Sequence, residues 1–194
     1  MDESNCEICI QFRNDVNKIK YIDADKNCIV NGYGNYDSEI IFIGEGPGKC
    51  GAALTCIPFT KDSSGKIVQK ALSELRISHN CFLTNLFRCY SYKIIEKNRE
   101  HKQRLEDYKK HCMLHLKNEI KSLNNLRLIC IIGKKVYGRY IDKEYLEELK
   151  NRYNVFYIYH PSYYRNRKHL SEQECVSKFI EEYKSKNKEI KIMV

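Results

Sequence analysis

The chain has 194 residues, room for one core rather than two. Its 34 lysines and arginines against 25 acidic residues give a formal net charge of +9, and a pI near 9.0 favours a polyanionic partner. No apolar run approaches the roughly 20 residues that span a bilayer, and the opening MDESNCEICI is too acidic for a secretory leader. The expectation is a soluble, cytoplasmic monomer.

Ten cysteines in such a chain do not read as a disulfide framework, because cellular reductants keep thiols reduced. Some are expected to hold a metal or cluster. The first two, Cys6 and Cys9, form a C-x-x-C pair.

The first apolar stretch, Ile40 to Gly44, runs into Gly44-Glu45-Gly46-Pro47-Gly48. Three glycines in five residues let the backbone turn sharply and approach a ligand closely. Pro58-Phe59 follows, and then Asp62-Ser63-Ser64-Gly65 leads into a helical pattern over Lys66 to Arg76, whose first amides suit an anion or a base oxygen. The second apolar stretch, Cys81 to Asn85, ends on a carboxamide able both to donate and to accept. Beyond it lie Arg88-Cys89 and a long helical pattern over Lys102 to Ser122 containing Cys112. Residues 88–121 carry ten basic against five acidic side chains, enough to track a phosphate backbone.

The third and fourth stretches, Leu126 to Ile132 and Val155 to Tyr159, are separated by a helical pattern over Tyr145 to Asn151. The last of them runs into His160-Pro161-Ser162-Tyr163-Tyr164-Arg165. A final helical pattern covers Ser171 to Lys184, and the Lys-rich tail from Lys184 to Lys191 is expected to fray. All four apolar stretches are continuous rather than alternating, as when both faces of a sheet are covered. Strand and helix alternate, so the expected fold is α/β, a three-layer αβα sandwich about a central, mainly parallel four-stranded sheet, one domain over residues 1–194. Ligands bind such sheets at the carboxyl ends of the strands, where Gly44–Gly48, Asn85 and His160 all fall.

Taken in order, the GEGPG loop, the Pro-Phe, the Thr-Asn followed by Arg-Cys, and the His-Pro-Ser resemble family 4 of the uracil-DNA glycosylases. That resemblance implies a DNA glycosylase that hydrolyses the N-glycosidic bond of a flipped-out base on single- or double-stranded DNA. It implies a [4Fe-4S] cluster on Cys6, Cys9, Cys89 and Cys112, although four thiolates alone suit tetrahedral zinc equally. Phe59 would stack on the base and Asn85 would read its edge. His160, with amides of the loop containing Gly46 and Gly48, would face the departing anion at the base O2. Ser162, Tyr163, Tyr164 and Arg165 would enter the minor groove. Cys28, Cys50, Cys56, Cys81, Cys130 and Cys175 are expected to be small buried or free thiols.

The chain departs from the family pattern in three places. Lys49-Cys50-Gly51-Ala52-Ala53 stands where acidic residues are usual, leaving Glu45 as the nearest acid, with Asp62 a second candidate. Thr60-Lys61-Asp62-Ser63-Ser64-Gly65 is one residue longer than its counterpart. In the long loop before Cys112, His101 takes the place of an Asn, resembling an offshoot of the family in which a histidine captures the sugar covalently. Uracil removal in base excision repair is the first expectation. Excision of another modified pyrimidine, as from phage DNA in antiviral defence, is the second, and a non-catalytic iron-sulfur DNA-binding protein the third.

Overall fold

The structure, a computed structural model, describes residues 7–19, 28–97 and 102–192. Helix α1 (Glu7–Ile19) precedes the short strand β1 (Tyr33–Gly34) and then β2 (Ile40–Gly44). Helices α2 (Ala52–Thr55) and α3 (Ser63–Glu74) lead to β3 (Cys81–Asn85); α4 (Ser91–Lys97) and α5 (Lys102–Ser122) lead to β4 (Leu128–Ile132). Helix α6 (Lys143–Arg152), β5 (Asn154–Ile158), α7 (Pro161–Arg167) and α8 (Glu172–Ile192) complete the chain.

The sheet order is β1-β3-β2-β4-β5. Only β1 runs antiparallel to its neighbour. The expected four strands are therefore all present and parallel, and β1 is an addition. Two residues are too short to carry a periodic signal, so β1 was not readable in the sequence.

Alternation along each buried strand feeds two cores. Ile41, Ile43, Ile129 and Ile131 join α1, α4, α5 and α6 on one face. Phe42, Cys130 and Ile132 join α3, α7 and α8 on the other. With both faces covered, the continuous apolar runs follow directly. Successive connections leave β2 and β4 on opposite faces, which opens a crevice beyond their carboxyl ends.

Boundaries shift where other partners take the backbone. Strand β4 begins at Leu128 rather than Leu126, because the amides of both Arg127 and Leu128 donate to the Glu39 carbonyl. Strand β5 stops at Ile158 because the Tyr159 amide donates to the Glu182 carboxylate at 2.9 Å. The tail expected to fray continues α8 to Ile192, as its Lys and Glu content favours. Cys28 and Cys56 are not free thiols. They form a disulfide with Cα atoms 5.4 Å apart, tying the segment before β1 to the end of α2. No described helix is long and apolar enough to cross a membrane.

Candidate active site

Parallel pairing sets Gly44 opposite Asn85, so the loop after β2 and the carboxamide ending β3 lie side by side. A Cβ built on Gly44 would come within 2.4 Å of the Asn85 Oδ1 and 2.7 Å of the Phe59 ring. Glycine is therefore required here by close approach, and Asn85 and Phe59 meet across it. Asn85 is 3 % exposed. Phe59 is nearly buried and has φ of +53°; Cys56 and Lys61 are also left-handed. Three such residues in six are costly, at roughly 1 to 3 kcal/mol each, and backbone strain of this kind clusters at binding sites.

Asp62 caps α3, its Oδ1 accepting from the Gly65 amide at 2.7 Å. Its other carboxylate oxygen fills the space that a Cβ on Gly48 or Gly51 would need. The glycine-rich loop thus folds directly onto the start of α3.

His160 caps α7, and Pro161 is its first helical residue, a position where the missing N–H costs nothing. The Ser162 amide donates to the His160 Nδ1 at 3.2 Å, and the Ser162 hydroxyl lies 2.8 Å from the same atom. An accepting Nδ1 makes the imidazole neutral with its proton on Nε2. Desolvation supports the same state by lowering the His160 pKa below its ordinary value, which outweighs the opposing pull of Glu45.

These groups line one cavity of about 40 Å³, walled by Glu45, Gly48, Phe59, Asp62, Asn85 and His160, with Gly46 and Ser64 also on its surface. The sequence thus pointed to residues that the fold brings together from four separate loops. Ser64 belongs to the helix start that the sequence marked by Asp62-Ser63-Ser64-Gly65.

A charged network stands behind Glu45. The Lys135 ammonium donates to Glu45 at 3.3 Å and to Glu96, which also accepts from the Tyr140 hydroxyl. Partial burial works against the Lys135 charge, but its bonds to Glu96 and Tyr140 outweigh that and raise its pKa. Burial likewise opposes the Glu96 carboxylate, and Lys135 and Tyr140 more than compensate, lowering its pKa. Lys135 and Glu96 carried no motif in the sequence.

Three of the four expected cluster cysteines converge. Cys9, Cys89 and Cys112 are fully buried, and the Tyr108 hydroxyl lies 2.9 Å from the Cys89 Sγ. Burial raises the Tyr108 pKa, and nearby Cys112, Cys89 and Cys9 raise it further. Burial pushes the Cys112 thiol up to about 12. The Tyr108 ring is stacked 3.8 Å from Phe12. Cys6 lies outside the described residues, as does His101. A second donor set shares Cys9: its sulfur and a nitrogen from each of His111 and His115 all lie within 4.8 Å of one another.

The expected groove-entering segment is only partly available. Tyr164 is buried and its hydroxyl donates to Glu182, so it packs α7 onto α8 and cannot enter a groove. Tyr163 and Ser162 are half-buried and Arg165 is exposed.

The uracil DNA glycosylase superfamily profile matches residues 31–184. The chain belongs to that superfamily. A search of curated protein sequences finds no match to it. Among solved structures, this superfamily member is similar to that of Pedobacter heparinus SMUG2, with a TM-score of 0.55 and 14% identity. The match covers 78% of this chain and 77% of the other. At that identity the likeness shows a shared αβα fold.

Proposed function

We propose that this superfamily member is a DNA glycosylase that hydrolyses the N-glycosidic bond of an extruded pyrimidine, with uracil the first substrate. The observation that carries the reading is the single cavity at the strand ends walled by Phe59, Asn85 and His160. As it stands the cavity holds only a few waters, so a base enters as the strained Phe59 loop gives way. Phe59 then stacks on the ring and the Asn85 carboxamide pairs with its edge.

Cleavage leaves positive charge on the sugar and negative charge on the base. The neutral His160 donates its Nε2 proton in a hydrogen bond to the developing base anion, and amides of the 46–48 loop and of Ser64 add to its stabilisation. Glu45, paired with Lys135, orients the attacking water. Arg165 and the exposed Lys97, Arg104, Lys110 and Lys121 hold the phosphates; Arg88, fully buried and paired with Glu119, takes no part. The enzyme works as a one-domain monomer on DNA in the cytoplasm.

Cys6, Cys9, Cys89 and Cys112 would hold a [4Fe-4S] cluster. The buried thiol set supports this. The cluster would fasten α1 to α5 and the segment after β3. A second reading, one zinc ion on Cys9, His111 and His115, is favoured by the 3.0 Å separation of the two histidine Nε2 atoms. Two nitrogens bound to one tetrahedral zinc lie about 3.3 Å apart, given Zn–N bonds of about 2.0 to 2.1 Å.

The test is incubation with uracil-containing oligonucleotides, single- and double-stranded, followed by alkali. Strand scission at the uracil is expected. Scission only at another modified pyrimidine would redirect the substrate towards phage-type DNA, and none at any base would leave a binding protein.

A further inference from the structure

A row of half-buried tyrosines lies at the edge of the sheet: Tyr157 in the edge strand β5, Tyr159 just past it, Tyr163 in α7 and Tyr137 after β4. Tyr137 and Tyr157 have ring centroids 4.9 Å apart, Tyr157 and Tyr159 6.2 Å, and Tyr159 and Tyr163 4.4 Å. The last pair is nearly parallel, at 17°. Tyr137 and Tyr157 pack against one core and Tyr159 and Tyr163 against the other, so the row crosses the open edge of the sheet. His160 follows Tyr159 directly, and its Cβ lies beside Gly133, four residues before Tyr137. The row therefore passes beside His160, a wall of the cavity.

Its surroundings are basic. Lys134 at one end, and Arg165, Arg167 and Lys168 at the other, are exposed. Among the described residues none of these four forms a salt bridge. The Lys150 ammonium sits 5.7 Å from the centre of the Tyr137 ring. Aromatic faces with cations on both flanks match the chemistry of a single nucleic-acid strand: bases stack on rings, and phosphates pair with the charges. A duplex offers no free base faces to such a row.

We propose that Tyr137, Tyr157, Tyr159 and Tyr163 form a stacking platform for the unpaired bases flanking the extruded nucleotide, so that the protein works on single-stranded DNA. This rests on the glycosylase reading for what happens at the cavity, but the platform binds undamaged strands as well.

The experiment is fluorescence anisotropy with labelled oligothymidine and a duplex of equal length. The unaltered protein binds the single strand more tightly. Replacing Tyr159 and Tyr163 together by leucine weakens single-strand binding tenfold or more, from base stacking of about 1 to 3 kcal/mol per ring, and leaves duplex binding unchanged. Tyr163→Phe, which keeps the ring, retains single-strand binding and shows that the surface is intact. Unchanged single-strand affinity in the double variant, or equal weakening on single strand and duplex, overturns the platform. Base release from damaged oligonucleotides is measured separately. Its absence with the tyrosine effect intact would reject the glycosylase reading alone.

Discussion

Gly44→Ala offers a sharp perturbation of the site, because its cost can be worked out from two distances. The new methyl would lie 2.4 Å from the Asn85 Oδ1 and 2.7 Å from the Phe59 ring. Ordinary contact begins near 3.4 Å, so the carboxamide and the ring must each retreat by roughly 0.7 to 1 Å. Gly44 has no left-handed φ, so alanine fits the strand backbone and the cost falls on the two neighbours. Overpacking of this kind costs about 1 to 3 kcal/mol of stability. A displacement near 1 Å of positioning groups can slow a reaction by about 10²-fold. The assay is single-turnover base release from a saturated uracil oligonucleotide, with thermal unfolding measured alongside. Gly138→Ala is the control, since nothing lies within 4 Å of a Cβ there. A Gly44→Ala protein as fast as the parent would refute the placement of Asn85 and Phe59 around the base.

Other consequences follow from the same geometry. The lowered His160 pKa means that the unfolded chain takes up that proton first as pH falls. Its contribution to stability is complete above the ordinary value of 6.5, declines below it, and levels off once pH is under the folded value. Base release should fall in the same direction, and a His160→Gln variant should lose both that acid limb and most of its rate. Lys135→Met should shift the pH profile of base release and leave DNA affinity within about twofold, because the lysine touches Glu45 rather than DNA; an unmoved profile would remove it from the mechanism. The Cys28–Cys56 bond closes a loop of 28 residues and should contribute about 3 to 4 kcal/mol in the chain-entropy account, seen as a lower melting temperature for Cys28→Ser than for the oxidised parent. Purified protein should contain iron and sulfide and absorb visible light, with Cys89→Ser losing both. Stoichiometric zinc, lost on His115→Ala and unaffected by Cys89→Ser, would instead place a single ion on Cys9, His111 and His115.

What the sequence disclosed, and what it withheld, follows the range of the signals. Continuous apolar runs marked β2 to β5 because covering both faces of a sheet favours apolar residues; the polar exceptions are Thr84 and Asn85, which end β3, and Asn154, which opens β5. The residues that end those runs were also legible, since a parallel sheet sends every strand's carboxyl end to one rim. Tyr164 does not enter a groove because its segment is helical, and His160 followed by Pro161 is a recognisable helix start. Once α7 is a helix, Tyr163 and Tyr164 point about 100° apart and only one can face solvent. The Cys28–Cys56 pairing and the Glu45–Lys135–Glu96 network join residues 28 to 90 positions apart, and no local pattern encodes such contacts. Tyr108 among the cysteines was invisible for the same reason.

The central claim is that the cavity at the strand ends receives an extruded pyrimidine and detaches it. Intact mass measurement of oligonucleotides carrying a single uracil, or one of a panel of modified pyrimidines, tests it most directly. One substrate should lose the mass of its base and gain a water, leaving an abasic strand, and Asn85→Ala should abolish that change. Unchanged masses across the whole panel, with DNA bound throughout, would contradict the account.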